Sequence, residues 1–112
     1  MKRIEKPWGY ELIWADTDQY VSKILHIHAG HSLSRQYHNQ KDETFLIWDG
    51  EVQLEIGSPV EEVFHMAPGD IYHCPPKTIH RLIAKKDSDV LEVSTAHLDD
   101  VVRLEDNYGR NS

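Results

Sequence analysis

Apolar and polar residues alternate along most of this chain with a period of two, in short runs separated by turn-forming residues. That period marks strands with one buried face. Tyr10–Trp14 is a first short strand, and Tyr20–His28 a second, rich in β-branched and aromatic residues. Leu33–His38 and Asp42–Trp48 follow. Glu51–Ile56 alternates most cleanly, with Val52, Leu54 and Ile56 on one face. Val60–Met66, Ile71–Cys74, Ile79–Ala84 and Val90–Ala96 complete the predicted set.

The breaks between runs have turn chemistry. Pro7 and Gly9 flank an aromatic at the entry, and Gly57-Ser58-Pro59 and Ala67-Pro68-Gly69-Asp70 punctuate the middle. Asp49-Gly50 between two alternating runs predicts a hairpin, because both residues tolerate positive φ. Pro75-Pro76 ends or edges a strand. A helical turn is expected within Leu98–Glu105, followed by a polar tail, Asp106–Arg110. No helix of ten or more residues is expected. About nine short strands in 112 residues predict one all-β domain over residues 1–112, a sandwich or a barrel.

Composition narrows the function. Net charge is −7, from 19 acidic and 12 basic residues, and no basic patch stands out. That argues against nucleic acid or an anionic membrane as partner, but leaves room for a small phosphorylated ligand, which a few local cations can hold. The single cysteine, Cys74, rules out an intrachain disulfide and fits a reducing compartment. The start lacks an apolar signal region and no run approaches a membrane span, so a cytoplasmic protein is the expectation.

Eight histidines are many for this length. Gln36 and His38 are two apart, so a strand presents both on one face. Glu43 follows within one turn's reach, and His80 heads a later apolar strand. Together they offer a metal an amide oxygen, two imidazoles and a carboxylate. His26 and His28 also form a His-x-His, but no carboxylate follows close by, so they are expected on the strand surface or behind the ligands. His65, His73 and His97 are expected to be structural or exposed, and His31 to line a mouth. Trp8, Trp14, Trp48, Phe45 and Phe64 are expected in the core; the alternative for Trp8 and Tyr10 is covering a barrel opening. Cys74 is expected as a buried, inert thiol. Arg81 follows His80 and so faces the other side of its strand. Arg110, in a Tyr-Gly-Arg tail, has the planar guanidinium that suits a phosphate.

These residues resemble the cupin family. Its first motif is matched by Gly30, Gln36-Tyr37-His38, Glu43 and Gly50, with Gln in place of the first His. Its second is matched by Gly69, Pro75-Pro76-Lys77 and His80, with Lys77 for Gly and Ala84 for Asn. The resemblance implies a cupin jelly roll. A narrower one covers nearly the whole chain: it is similar to the C-terminal cupin domain of type II phosphomannose isomerase, often fused to mannose-1-phosphate guanylyltransferase. The residues that carry it are Lys6-Pro7-Trp8-Gly9, Leu33-Ser34-Arg35-Gln36-Tyr37-His38, Thr78-Ile79-His80-Arg81-Leu82, Asp99–Arg103 and Glu105–Arg110. The chain departs from that pattern at Asn39-Gln40-Lys41, where the family has His and Arg.

The resemblance implies one divalent metal ion, whether zinc, manganese, iron, cobalt or nickel, on Gln36, His38, Glu43 and His80. It implies a sugar or sugar phosphate as ligand and aldose–ketose isomerisation as activity. Glu43 and Lys23 are then the candidate proton carriers, and Lys41 and Arg110 the phosphate ligands. A homodimer paired through the sheets is a family-level expectation. Two other readings stay open: a non-haem metal oxygenase on His38, Glu43 and His80, and a non-catalytic sugar-binding cupin.

Overall fold

The structure, a computed structural model, describes residues 1–97 and 99–110. It is all-β, with eleven strands. They are β1 (Lys2–Lys6), β2 (Gly9–Asp16), β3 (Tyr20–Ile27), β4 (Arg35–Tyr37), β5 (Glu43–Asp49), β6 (Val52–Ile56), β7 (Glu62–Met66), β8 (Ile71–Cys74), β9 (His80–Ala84), β10 (Ser88–Thr95) and β11 (Val102–Glu105). They form two antiparallel sheets. One runs β1-β2-β3-β10-β5-β8 and the other β11-β4-β9-β6-β7. Strands consecutive in the chain repeatedly fall in opposite sheets, as in a jelly roll. Among the described residues no helix is long and apolar enough to cross a membrane.

The period of two decides what each strand turns inward, and the inward residues change character along the strands. β5 presents Ile47, Phe45 and then Glu43; β9 presents Ala84, Leu82 and then His80. β3 presents Ile27, Leu25 and then Lys23, and β10 Val90 and then Glu92. Register aligns these series: Val90 lies opposite both Leu25 and Ile47, and Glu92 opposite Lys23. One end of the interior is therefore a dry core of Leu25, Ile27, Phe45, Ile47, Val52, Leu54, Leu82 and Val90. The other end is lined with buried charge.

Four expectations are corrected. Asp49-Gly50 is not a hairpin turn, because β5 and β6 lie in different sheets and the chain crosses between them there. Gly50 has φ +93°, and a Cβ on it would stand 2.2 Å from Ser88 Oγ. Glycine is required by the crossing and by this close approach. Val102–Glu105 forms strand β11 on β4, not a helical turn; Leu98 lies outside the described residues. β1 was not expected at all. Both unforeseen strands are edge strands, with one neighbour each and little apolar alternation to read. Finally, Trp14 and Trp48 are exposed on the outer face of the six-stranded sheet, whereas Trp8 and Phe45 are in the core and Phe64 packs against it.

Candidate metal centre and its cavity

β4, β5 and β9 bring the candidate ligands together. Gln36 lies opposite His80 in the β4–β9 register, which puts both side chains on the inner face. His38 follows β4, and Glu43 opens β5. His38, Glu43 and His80 are all buried, and one ligand atom from each lies within 4.8 Å of the others. Glu43 Oε1 is 3.2 Å from His38 Nε2 and 3.2 Å from His80 Nε2.

The second nitrogens settle the tautomers. His80 Nδ1 donates to the Thr78 carbonyl at 2.9 Å, with Cys74 Sγ at 3.4 Å. His38 Nδ1 donates to the Asp100 carbonyl. In neutral rings both Nε2 lone pairs then point at a carboxylate oxygen, an arrangement that calls for a cation among the three. Such outer contacts are how metal-binding imidazoles are oriented. The spacing also fits: donors about 2.0–2.1 Å from a common ion at tetrahedral angles stand about 3.3 Å apart.

Without a metal a proton can serve. Burial disfavours the charged His80 ring, but its contacts with Cys74 and Glu43 outweigh this and raise its pKa to about 10. Burial also opposes ionisation of Glu43. Its contacts with His38 and His80 and the Lys41 charge prevail and hold its carboxyl well below the usual range. A metal held by these residues would have to displace that proton.

Gln36 stands at the edge of this set. Its Oε1 accepts from Ser34 Oγ at 2.6 Å, and its Nε2 lies 3.5 Å from His38 Nε2. Binding a metal through Oε1 takes a half-turn of the amide, after which Nε2 can donate to the same hydroxyl.

Gln36 and His38 also border a cavity of about 260 Å3 between the two sheets. Its wall includes Trp8, Glu11, Lys23, Leu25, Leu33, Lys41 and Glu92, together with Lys2, Ile4 and Lys6 of β1 and Val101 and Arg103 at β11. Six cations, Lys2, Lys6, Lys23, Lys41, Arg103 and Arg110, face four carboxylates, Glu11, Asp16, Glu92 and Asp99. The cavity thus has a cationic excess in a chain whose net charge is −7.

The site residues expected from sequence fall into place unevenly. Lys41 is not a free phosphate ligand. It is buried, with Nζ 3.2 Å from Glu43 Oε2 and 3.2 Å from Glu92 Oε2. Burial opposes its charge, but the two carboxylates raise its pKa well above the ordinary lysine value. Lys23 is held by Glu11 at 3.2 Å and Glu92 at 3.7 Å. Arg110 lines the cavity but also has a structural partner: Asp106 accepts from its Nε at 2.9 Å and from an NH2 at 3.1 Å. Arg81 packs away from the metal centre, donating to the Leu33 carbonyl and to Asn107 Oδ1.

Of the remaining histidines, His65 is exposed and His28 packs edge-on against His26 and His31. His26 bonds Asp89 and stacks on Tyr10. His73 pairs with Asp42 and His97 with Thr95. His31 is bonded to and stacked on Tyr108 rather than lining the cavity. Cys74 is buried beside His80.

Sequence reasoning missed three residues. Glu92 joins Lys23 to Lys41, and burial together with Glu43 raises its pKa. Its place in an alternating inner face was the available signal. Asp100 accepts hydrogen bonds from the Asn39, Gln40 and Lys41 amides, which lower its pKa to about 2. Thus Asp100 ties the loop between β4 and β5 in place and, through its carbonyl, orients His38. Arg103 lies directly opposite Gln36 on β11. Lys77, where the second motif usually has glycine, has φ +65°, which explains that preference.

A jelly roll with this buried histidine–carboxylate cluster has the architecture of a cupin. The family model for the cupin domain matches residues 23–95, well over half of the chain, and the chain belongs to that family. It is 30% identical to the xanthan biosynthesis protein XanB of Xanthomonas campestris pv. campestris, over 97% of this chain and 24% of that protein. It is 32% identical to the mannose-1-phosphate guanylyltransferase ManC of Salmonella typhimurium, over 97% of this chain and 23% of that protein. The chain thus spans about a quarter of the length of these curated relatives. Among solved structures, KdgF from Halomonas sp. superposes with a TM-score of 0.76 at 20% identity, over 88% of this chain and 89% of that one, a likeness that bears on the fold.

Proposed function

We propose that this chain is a metal-dependent cupin that acts on a sugar phosphate, interconverting an aldose and a ketose. One observation carries the reading: three buried ligand atoms converge beside a polar cavity with an excess of cations. Kinship with sugar-nucleotide and polysaccharide biosynthesis proteins supports the substrate class. His38, Glu43 and His80 would hold one divalent ion, with Gln36 as a fourth ligand. The ion would supply a Lewis acid that polarises a substrate carbonyl and its neighbouring hydroxyl.

The chain's own residues would do the rest. Trp8, Leu25 and Leu33 give the cavity an apolar wall against which a sugar ring can rest. A proton must leave C2 of the aldose and return to C1 of the ketose. Glu43 is tied to both histidines and Lys41, which leaves it little freedom for that task. Lys23 borders the cavity but is paired with Glu11. Glu92 also borders it, and its raised pKa suits a group that takes up and gives back a proton.

The test starts with metal content of tag-free protein by elemental mass spectrometry, for wild type and His38→Ala. The expected result is near-stoichiometric metal in wild type and its loss in the variant. Loaded protein is then given a hexose 6-phosphate in deuterated water, and exchange at C2 is followed by NMR. Absence of both exchange and interconversion, with metal and ligand bound, would sink the isomerase reading.

Such a result would favour a second reading, a non-catalytic sugar-binding cupin. The structural support for that alternative is Lys41, which is spent on two carboxylates where the family carries an arginine.

A further inference from the structure

Almost every buried cation in this chain has an acceptor of its own. Arg35 is bonded to Glu55 and Glu105, Lys23 and Lys41 are paired with carboxylates, and Arg81 is held by a carbonyl and an amide. Two half-buried cavity cations differ; Lys2, likewise without a side-chain partner among the described residues, is exposed. Lys6 and Arg103 have no ion pair or hydrogen bond from their side chains among the described residues, and Arg103 Nε is buried without an acceptor. An unsatisfied buried donor is costly, on the order of 1–3 kcal/mol, and more on a charged group.

These two residues come from opposite sheets. Lys6 ends β1, the edge of the six-stranded sheet, and Arg103 lies on β11, the edge of the five-stranded one. The edges flank one cavity, since Lys2, Ile4 and Lys6 form its wall on one side and Val101 and Arg103 on the other. Arg110 joins them there. Asp106, whose side chain is fully buried, fixes the Nε and one NH2 edge of Arg110, leaving NH1 without a hydrogen-bond partner among the described residues. Burial lowers the pKa of Lys6, and although Glu11 opposes this, Lys23, Arg110 and Arg103 lower it further, as expected of cations crowded around one space.

We infer that Lys6, Arg103 and Arg110 form a cradle for the phosphate of a phosphomonoester, whose polyol end then reaches Gln36 and His38. Resting on the proposed function, this names the residues that would select the substrate class. Position sets the polarity: Arg103 is opposite Gln36, so an anion on its guanidinium lies one strand away from the metal centre. Charge favours phosphate over carboxylate. A phosphomonoester carries about −1.5 to −2 at neutral pH and three acceptor oxygens, enough for three cations, whereas one arginine fork satisfies a carboxylate. Of the four cavity carboxylates, Glu11 and Glu92 are already paired with lysines. Asp16 and Asp99 stand at the rim shared with a second depression. All three cradle residues lie outside residues 23–95, so selection would be built on edge strands and a tail added around the shared cupin core.

The test is calorimetric titration of the full chain with a hexose 6-phosphate, the matching free hexose, a hexuronate and inorganic phosphate. Metal content is measured on the same samples. Wild type should bind the hexose phosphate at least tenfold more tightly than the hexose and the hexuronate. Arg103→Gln and Lys6→Gln should each cut that preference about tenfold and leave metal content and hexose binding unchanged. Lys6→Gln, on the other sheet, guards against a folding defect in the arginine variant, and Lys86→Gln on the exposed surface should change nothing. An undiminished preference in both cradle variants, or equal binding of hexuronate and hexose phosphate by wild type, would overturn the cradle. The two readings fail separately. Phosphate preference in a protein that refuses metal leaves the cradle standing and removes the metal centre. Bound metal and hexose with no gain from phosphate does the reverse.

Discussion

Replacing Lys41 with methionine separates its two possible roles. As a phosphate ligand it could be lost with little effect on folding. The structure instead makes it the bridge between two buried carboxylates, at 3.2 Å from Glu43 Oε2 and 3.2 Å from Glu92 Oε2. At an effective dielectric constant of about 20, each contact is worth roughly 5 kcal/mol of Coulomb energy, against a desolvation cost of several kcal/mol per ion. The pair's net contribution is small, but removing one partner strands the others. Breaking a buried ion pair in this way costs about 3–5 kcal/mol. Lys23, 3.7 Å from Glu92, and the protonated His80 ring, 3.2 Å from Glu43, soften the loss at each carboxylate without restoring the bridge between them. With about 0.24 kcal/mol/K of unfolding entropy for a chain of this length, Lys41→Met should lower Tm by roughly 13–21 °C in metal-free protein. A divalent ion on Glu43 would compensate that carboxylate directly, so the loss should shrink when metal is present. Urea unfolding with chelator and with added metal measures both. A metal-free loss below about 1 kcal/mol would refute the bridging argument, and anion binding lost with stability intact would restore the phosphate role.

Other perturbations test other parts of the structure. Asp100 holds three amides with a carboxylate whose pKa is lowered to about 2. A lowered folded pKa contributes stability above the unfolded value and loses it as pH falls, so wild type should lose stability between about pH 4 and pH 2 more steeply than Asp100→Asn, by urea midpoints across that range. Gly50→Ala places a Cβ 2.2 Å from Ser88 Oγ and 2.6 Å from the Asp87 carbonyl at φ +93°, and should cost about 1–3 kcal/mol in thermal unfolding. Phe45→Ala empties the centre of the core and should cost about 3–5 kcal/mol; because the ring lies 5.7 Å from the His80 ring, metal affinity should fall as well, by calorimetry. Trp48→Ser, by contrast, alters an exposed ring and should stay within about 0.5 kcal/mol in the same unfolding assay.

Local information carried far in this chain. The period of two assigned Val52, Leu54 and Ile56 to a buried face without any knowledge of their neighbours, because strand geometry alone sends alternate side chains to opposite faces. The same rule put Gln36 and His38 together, and the spacing marked candidate ligands of which the structure brings His38, Glu43 and His80 within reach of one another. Pairing between distant segments was not legible. Asp49-Gly50 looks like a hairpin locally, and only the packing of two sheets makes it a crossing. Edge strands β1 and β11 bury one side at most, so their sequences need little alternation, and their assignment depends on the strands they join. The charge network shows the same divide. Lys41 reads as a free cation in sequence, and Glu92 as one more acidic residue on a strand. Folding places them 3.2 Å apart, and places Arg103 opposite Gln36. Strand period alone sorted most alternating side chains to an inner or an outer face, Trp14 and Trp48 excepted. The tertiary structure decided which of them meet, because partners far apart in the chain are chosen by sheet order and register.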